Sequence, residues 1–428
     1  MKSIQKLALI AVILLANIPT INAQITKGNN YYISPTGKGR TASKAKPAKD
    51  LAAVIMKLKA GDVVHIAGGT YKSKSGRGSD VIPVSVSIIG GYSPDFSTRD
   101  PWGKYKTILT GTNDYNTGLT TSRLRINGRA GNPVLIDGVI INNGPRNRYK
   151  TDKHQLILRK ANAAKGENPT PETPGIKILM KGVGADVTIK NCIVMNTAPT
   201  QGAIDVQIGK DGKAVIKNNL IVNNTGEGIM AKTNWHGNTP ENYATYLIEN
   251  NTILFNWKHD AIASYGGNSL MMDVAVNLTA NNNIFGFGDF GGVNNIKRCE
   301  NLVLNNNNFF GHKKYDFYDS SGMNVDDMAD YADYLKDGDG NVSKPIKLPL
   351  NKDWAALYAA RKDISRAEVD ASSTVSNSSE NQIRGILGLN KIGSTVSLDA
   401  SIWLHQMQVS DAVKIGSNQY DGRGCQRP

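Results

Sequence analysis

Lysine, tyrosine and carboxylate side chains recur in this chain at intervals that would stack them. Lys177, Asp205, Met230 and Ala263 fall at one set of matching positions, and Leu179, Gln207, Lys232 and Tyr265 fall two residues on. Trp235 and His236 follow the Lys232 segment, while Trp257, Lys258, His259 and Asp260 precede Tyr265, so two repeats each bring an aromatic ring and an imidazole to one side. Such a set suits β-elimination on a uronate-bearing polysaccharide. That reaction needs the uronate carboxylate neutralised, the proton α to it removed by a base, and the departing oxygen protonated. Lys232 is the candidate base, with His259 and His236 as imidazoles that need less tuning to act at neutral pH. Tyr265 is the candidate acid, and Asp205, Glu227 and Asp260 could bind Ca²⁺ that bridges the substrate carboxylate. Lys177, Gln207, Trp235, Trp257, Lys258, Arg146 and Arg148 are expected to hold the sugar units, with Arg159 approaching from the same side as the last two.

Two other kinds of function fit the same residues. A glycoside hydrolase needs two carboxylates about 5–9.5 Å apart, which Asp205 with Glu227 or Asp260 would supply. A module that only binds polysaccharide would use the tryptophans for stacking and the basic side chains for charge. Each residue also has a plainer explanation, since an outward Lys or Tyr is more often a solvated side chain than a catalyst and a surface Trp can simply cover a turn.

The elements that position these residues are announced by a repeat. Gly138-Val-Ile-Ile-Asn-Asn143, Asn191-Cys-Ile-Val-Met-Asn196, Asn218-Asn-Leu-Ile-Val-Asn223, Asn251-Thr-Ile-Leu-Phe-Asn256, Asn282-Asn-Ile-Phe-Gly-Phe287 and Asn307-Asn-Phe-Phe-Gly-His312 are variants of one pattern. Their starting positions step by 53, 27, 33, 31 and 25 residues, and the first step reads as two coils with one degenerate copy. Short β-branched and aromatic segments at this period, with no helical stripe between them, predict a parallel β-helix. Matching asparagines would bond to their neighbours one strand spacing away, and Asn tolerates the left-handed backbone of a tight corner. A second repeated element, Gly202-Ala-Ile204, Glu227-Gly-Ile229 and Asp260-Ala-Ile262, with Gly175-Ile176 as an earlier copy, supplies the inward residues from which the outward columns are counted.

The remaining sequence frames this solenoid. Residues 1–23 combine Lys2 and Lys6 with an apolar run from Leu7 to Ile18 and end at Ile21-Asn22-Ala23, the pattern of a secretory signal peptide. The mature chain is then expected from Gln24, periplasmic or secreted, with no transmembrane anchor, since no later stretch has the roughly 18 apolar residues needed to span a bilayer. The formal charge of +14 becomes +12 without those two lysines. In an exported protein it favours an acidic polysaccharide and no nucleic acid as partner. With three cysteines, Cys192, Cys299 and Cys425, no disulfide scaffold holds the chain. A helix from Asp50 to Lys59, with Leu51, Val54, Ile55 and Leu58 on one face, is expected to cap the open end. The solenoid should run from 24 to 323 as a monomer, with a polar insertion at 144–174 walling a groove. Residues 324–428 should pack on it or complete it, with short helices at 326–334 and 353–361 and a loop at 372–382. The turn Lys336-Asp-Gly-Asp-Gly-Asn341 between those helices is either an ordinary turn or an ion site lacking the length of an EF-hand loop.

Tyr31-Tyr-Ile-Ser-Pro-Thr-Gly37, Ala60-Gly-Asp62 and Gly68-Gly-Thr-Tyr71 resemble the opening of secreted right-handed parallel β-helix proteins of the pectate-lyase-like superfamily. Gly90-Gly-Tyr-Ser-Pro-Asp-Phe96 with Arg99-Asp-Pro101 resembles a segment of exported members from Bacteroidota, and Lys414-Ile-Gly-Ser-Asn-Gln-Tyr420 is similar to their closing Asp-Ile-Gly-Ala-Tyr segment. The resemblance implies an all-β, right-handed parallel β-helix. It also implies Lys or Arg as the base of a lyase, although the superfamily includes hydrolases, esterases and proteins without catalysis.

Overall fold

The computed structural model of this chain describes residues 28–73, 78–112, 122–148, 172–233, 240–257, 266–273, 275–296, 301–312, 314–319, 324–325, 327–328, 338–344, 346, 348–349 and 406–428. The expected signal segment, Cys299, most of the 144–174 insertion, the 353–361 helix and the 372–382 loop lie outside them, as does nearly all of the 326–334 helix.

Short segments that alternate apolar and polar residues bury one side and solvate the other in the first sheet and in the early strands of the second, whereas most strands of the third sheet, apolar with buried Asn and Thr, are covered on both sides. Among the described residues these strands form sheets of nine, nine and eight strands. The first sheet runs from Asn30–Ile33 through Val63–Ala67, Ser87–Tyr92, Val134–Asp137, Asp186–Lys190, Lys213–Lys217, Ala244–Glu249 and Val276–Asn281 to Leu302–Asn305. The second contains Leu124–Arg129, Ile176–Lys181, Gly202–Ile208, Glu227–Thr233, Leu270–Met272, Gly291–Asn295 and Tyr315–Asp319 as successive neighbours. The third includes Val139–Asn142, Ile193–Met195, Leu220–Thr225, Thr252–Trp257, Ile284–Gly288 and Asn308–Phe310, one strand from each of the six repeated segments. Among the described strands pairing is parallel except where Tyr315–Asp319 meets Asn324–Val325. This is the expected right-handed parallel β-helix.

The 53-residue step is a single coil. Ile140 pairs directly with Ile193, so the extra length is the insertion itself and no degenerate copy intervenes.

The interior is built from stacked identical side chains. Ile88, Ile136, Ile189, Ile216 and Ile248 follow one another up the first sheet, all fully buried. Each such side chain gains about 1.5–3 kcal/mol from burial. At one corner Asn191, Asn218, Asn250, Asn282 and Asn306 all take φ between 51° and 55°, the left-handed conformation that Asn tolerates. The corresponding interior positions form an amide ladder. Asn219 Nδ2 donates to Asn251 Oδ1 (3.0 Å), Asn251 to Asn283 (3.0 Å), Asn283 to Asn307 (2.9 Å) and Asn307 to Asn341 (3.0 Å). The acidic turn weighed as an ion site thus supplies the last rung of the ladder, while Asp339 Oδ1 accepts from Gly340 N.

The expected N-terminal helix is instead two short 3₁₀ turns, Leu51–Ala53 and Ile55–Lys57. Asp50 caps the first by accepting from Ala53 N, and Leu51, Val54 and Leu58 are buried in the core. Adjacent β-branched Val54 and Ile55, in a segment too short to nucleate well, explain why the spiral breaks between the turns.

The C-terminal residues lie across the third sheet. Met407, just before the helix Val409–Gly416, and Ala412 and Ile415 within it pack with Trp102, Ile140, Ile193, Leu220, Leu254 and Ile284. This C-terminal strap then crosses successive coils: Arg423 Nε donates to Asn306 O, Gly424 N to Asn282 O, Cys425 N to Thr252 Oγ1 and Gln426 N to Asn218 Oδ1. It ends where Arg427 pairs with Asp100 at 2.8 Å. No helix among the described residues is long and apolar enough to cross a membrane.

Candidate functional site

Because its own C-terminus covers the third sheet, the outer side of the second sheet is where the candidate residues can face a ligand. Alternation turns Arg125, Asn127 and Arg129 outward on the first of four neighbouring strands, Lys177, Leu179 and Lys181 on the next, then Asp205 and Gln207, then Met230 and Lys232. The observed register pairs Lys177 with Asp205 and Gln207 with Lys232, as the repeat alignment places them. These outward positions hold five cations and one carboxylate. Adjacent rungs lie about 4.8 Å apart.

The single carboxylate is the hub. Asp205 is 1% exposed; its Oδ2 lies 2.9 Å from Lys177 Nζ and its Oδ1 3.5 Å from Lys232 Nζ. Gln207 Nε2 also reaches both oxygens, at 3.3 and 3.4 Å, and Lys232 Nζ donates to Gln201 Oε1 at 2.9 Å. Two ammonium groups on alternate coils are therefore held by one buried anion, with Lys177 more open to solvent than Lys232.

The next rung differs from expectation. Leu270 pairs with Ile229 and Met271 with Met230, taking the places given to Ile262 and Ala263. Asp273 N then donates to Ala231 O, so Asp273 follows Met272 beside Lys232 where Tyr265 was expected. The intervening loop is longer than the Asp260-Ala-Ile motif suggested. Trp235, His236, Lys258, His259, Asp260 and Tyr265 all lie outside the described residues, as does Arg159.

Two residues expected to hold substrate are interior. Trp257 is 1% exposed, its Nε1 donates to Asn223 Oδ1 at 2.9 Å, and its ring stacks with Phe255. It follows Asn256 in a strand whose outer side the C-terminal strap covers. Arg146 is fully buried at the root of the insertion, donating from Nη1 to Asn143 Oδ1. Arg148 is half-buried beside it.

Of the residues expected to bind Ca²⁺, Asp260 lies outside the described residues, and Asp205 and Glu227 are each already engaged. Asp205 is engaged by lysines, and Glu227 is 2% exposed with Oε2 accepting from Asn268 N at 2.9 Å. Burial lifts the Glu227 carboxyl to about 7, against the lowering effect of its bonds to Asn268. Beside it Tyr315 donates to Asn268 Oδ1 and accepts from Asn294 Nδ2, and burial together with the Glu227 charge raises the phenol. Among the described residues no three His, Cys, Asp or Glu side chains converge to hold a metal. A carboxylate already shared by two ammonium groups and a second one sealed from solvent do not fit a Ca²⁺ cradle. Cys192 and Cys425 are free and buried, and burial pushes both thiols up to about 12.

Arg125, Arg129 and Lys181 were not among the expected site residues. Their signal was present: Leu124-Arg-Ile-Asn alternates as Ile176-Lys-Ile-Leu does, and aligning the two would have added one more coil to the column.

No family model matches this chain, and no curated protein matches it. Among solved structures it is similar to the pectate lyase Pel9A, at 12% identity and a TM-score of 0.39 over 71% of this chain and 74% of that one. It is similar also to a rhamnogalacturonan lyase, at 14% identity and a TM-score of 0.36 over 69% and 75% of the two chains. A GH136 lacto-N-biosidase from Eubacterium ramulus shares 11% identity at a TM-score of 0.25, over 76% and 69%. The assignment of this chain to the parallel β-helix fold stands on its own strand register, described above.

Proposed function

We propose that this protein is an exported polysaccharide lyase that cleaves an acidic, uronate-containing polymer along the outer side of the second sheet. The observation that carries the proposal is that Arg125 and Lys177 stand side by side in one outward column and Lys232 lies two coils on in the neighbouring column, with Asp205 fixing the two lysines. A linear polyanion laid across successive coils meets a cation at nearly every step.

In this reading Arg125 and Lys177 take the uronate carboxylate, withdrawing charge as it develops on the carbon beside it. Lys232, once its ammonium proton has passed to solvent, takes the proton from that carbon as the neutral amine, a carbon–carbon double bond forms, and the glycosidic carbon–oxygen bond breaks. The departing oxygen receives its proton from Tyr265, His259 or His236. Asp205 touches no substrate; it holds the ammonium groups in register. No step is routed through Ca²⁺.

The test is a panel of pectate, alginate, chondroitin sulfate, hyaluronan and ulvan, followed by ultraviolet absorbance of the unsaturated uronate and by reducing ends, with and without chelator. Lys232→Ala should lower kcat by about 10²- to 10⁴-fold, whereas Arg125→Ala should act mainly on KM. Reducing ends without the ultraviolet signal would replace elimination by hydrolysis on paired carboxylates. Binding with neither signal would make the protein a polysaccharide-binding module.

A further inference from the structure

A second concentration of positive charge lies at the N-terminal end of the solenoid. The loop between Ser34 and Ala48 is closed at its root, where Ser34 N donates to Ala48 O and Ala48 N to Tyr32 O. Its two sides run so close that a Cβ on Gly37 or Gly39 would collide with the carbonyls of Ala48 or Lys46. Between this loop and the two 3₁₀ turns lies a recess of about 430 Å³, lined by Gly37, Gly39, Lys38, Arg40, Lys49 and Lys57. Lys57 Nζ donates to Arg40 O and fixes one wall. Lys38, Arg40 and Lys49 are exposed, and no ion pair engages them among the described residues.

Four cations line this recess and no carboxylate does. The only two acids between residues 28 and 62 are committed elsewhere: Asp50 caps Ala53 N, and Asp62 accepts from Asn29 N and Lys59 N. Lys44, Lys46 and Lys59 add to the positive field around it. Lys38 and Arg40 on this loop, with Lys49 and Lys57 beside them, crowd like charge around one recess, and a bound anion relieves that repulsion.

We propose that this recess binds the sulfate or carboxylate groups of an acidic glycan, at a site separate from the row on the second sheet. Only the class of ligand rests on the lyase reading; the recess takes no part in bond cleavage. It would hold a distant stretch of polymer while another stretch lies on the sheet.

Calorimetric titration of the full chain with a heparin oligosaccharide and with an oligogalacturonate tests this. The charge reversal Lys38→Glu/Lys49→Glu should weaken binding about tenfold and more at low salt than at high salt. The matched reversal Lys213→Glu/Lys217→Glu, at two exposed lysines of the first sheet, should change it little. Lys232→Ala should leave recess binding intact, which separates this proposal from the catalytic one. Equal losses in the two reversals, or no binding of either glycan by the wild type, would overturn the recess. So would a duplex DNA oligomer that competes as strongly as heparin.

Discussion

Replacing Glu227 by Gln isolates one buried proton. In the unfolded chain the Glu227 carboxyl titrates near 4.5, and in the fold burial lifts it to about 7. A folded state that holds the proton more tightly than the unfolded one gains stability where both are protonated, and loses it as pH rises through the folded value. Each tenfold difference in proton affinity corresponds to about 1.4 kcal/mol, so wild-type stability should fall by about 3 kcal/mol from this group alone between about pH 4 and about pH 8. Glutamine is the same shape, cannot ionise, and can still accept from Asn268 N. Glu227→Gln should therefore match the wild type near pH 4 and exceed it by about 3 kcal/mol near pH 8. Urea unfolding of both proteins across that range gives the difference directly. A difference that stays flat with pH would refute the reasoning, because it would mean that the carboxyl ionises in the fold as easily as in water. The variant should also keep its activity on any cleaved polymer, since Glu227 faces Asn268 and not the row of cations.

The remaining predictions concern the hub and the scaffold. Asp205→Asn should lower kcat on any cleaved polymer and cost about 1–2 kcal/mol of stability, less than for a deeply buried pair because both lysines can turn toward solvent; steady-state kinetics with thermal melting checks both. Asn251→Ala leaves Asn219 N, Asn219 Nδ2 and Ile216 O without their partner and should cost about 2–4 kcal/mol, measured by urea unfolding.

The fold was legible because stacking forces the same residue types into the same places. Isoleucines, corner asparagines and the ladder beneath them repeat wherever a coil closes, so a one-dimensional pattern carried a three-dimensional register. Lys177, Asp205, Gln207 and Lys232 were placed correctly because two of those coils are spaced by short loops. The next rung failed because Asp260-Ala-Ile imitates Glu227-Gly-Ile, and nothing local distinguishes an imitation in a long loop from a strand. Leu270-Met-Met, which occupies the rung, has no acidic or glycine signature. Trp257 was misread for a related reason. Outward on a strand does not mean exposed when a segment some 150 residues later folds over that strand, and no pattern near Trp257 records that cover. The self-neutralised state of Asp205 was likewise hidden, since alignment gives neighbours and not which charges meet.

The strap formed by residues 406–428 alters how such a molecule comes apart. A bare solenoid is held by contacts between adjacent coils, so it can fray from either end one rung at a time, like a zipper. Here one short segment grips Asn306, Asn282, Thr252, Asn218 and finally Asp100, so opening any of those coils strains the same piece of chain. Separate rungs become linked, and loss of structure becomes collective. A chain without residues 406–428 lacks that link, so its coils should open one at a time, and the collective loss of structure appears only when the strap is in place.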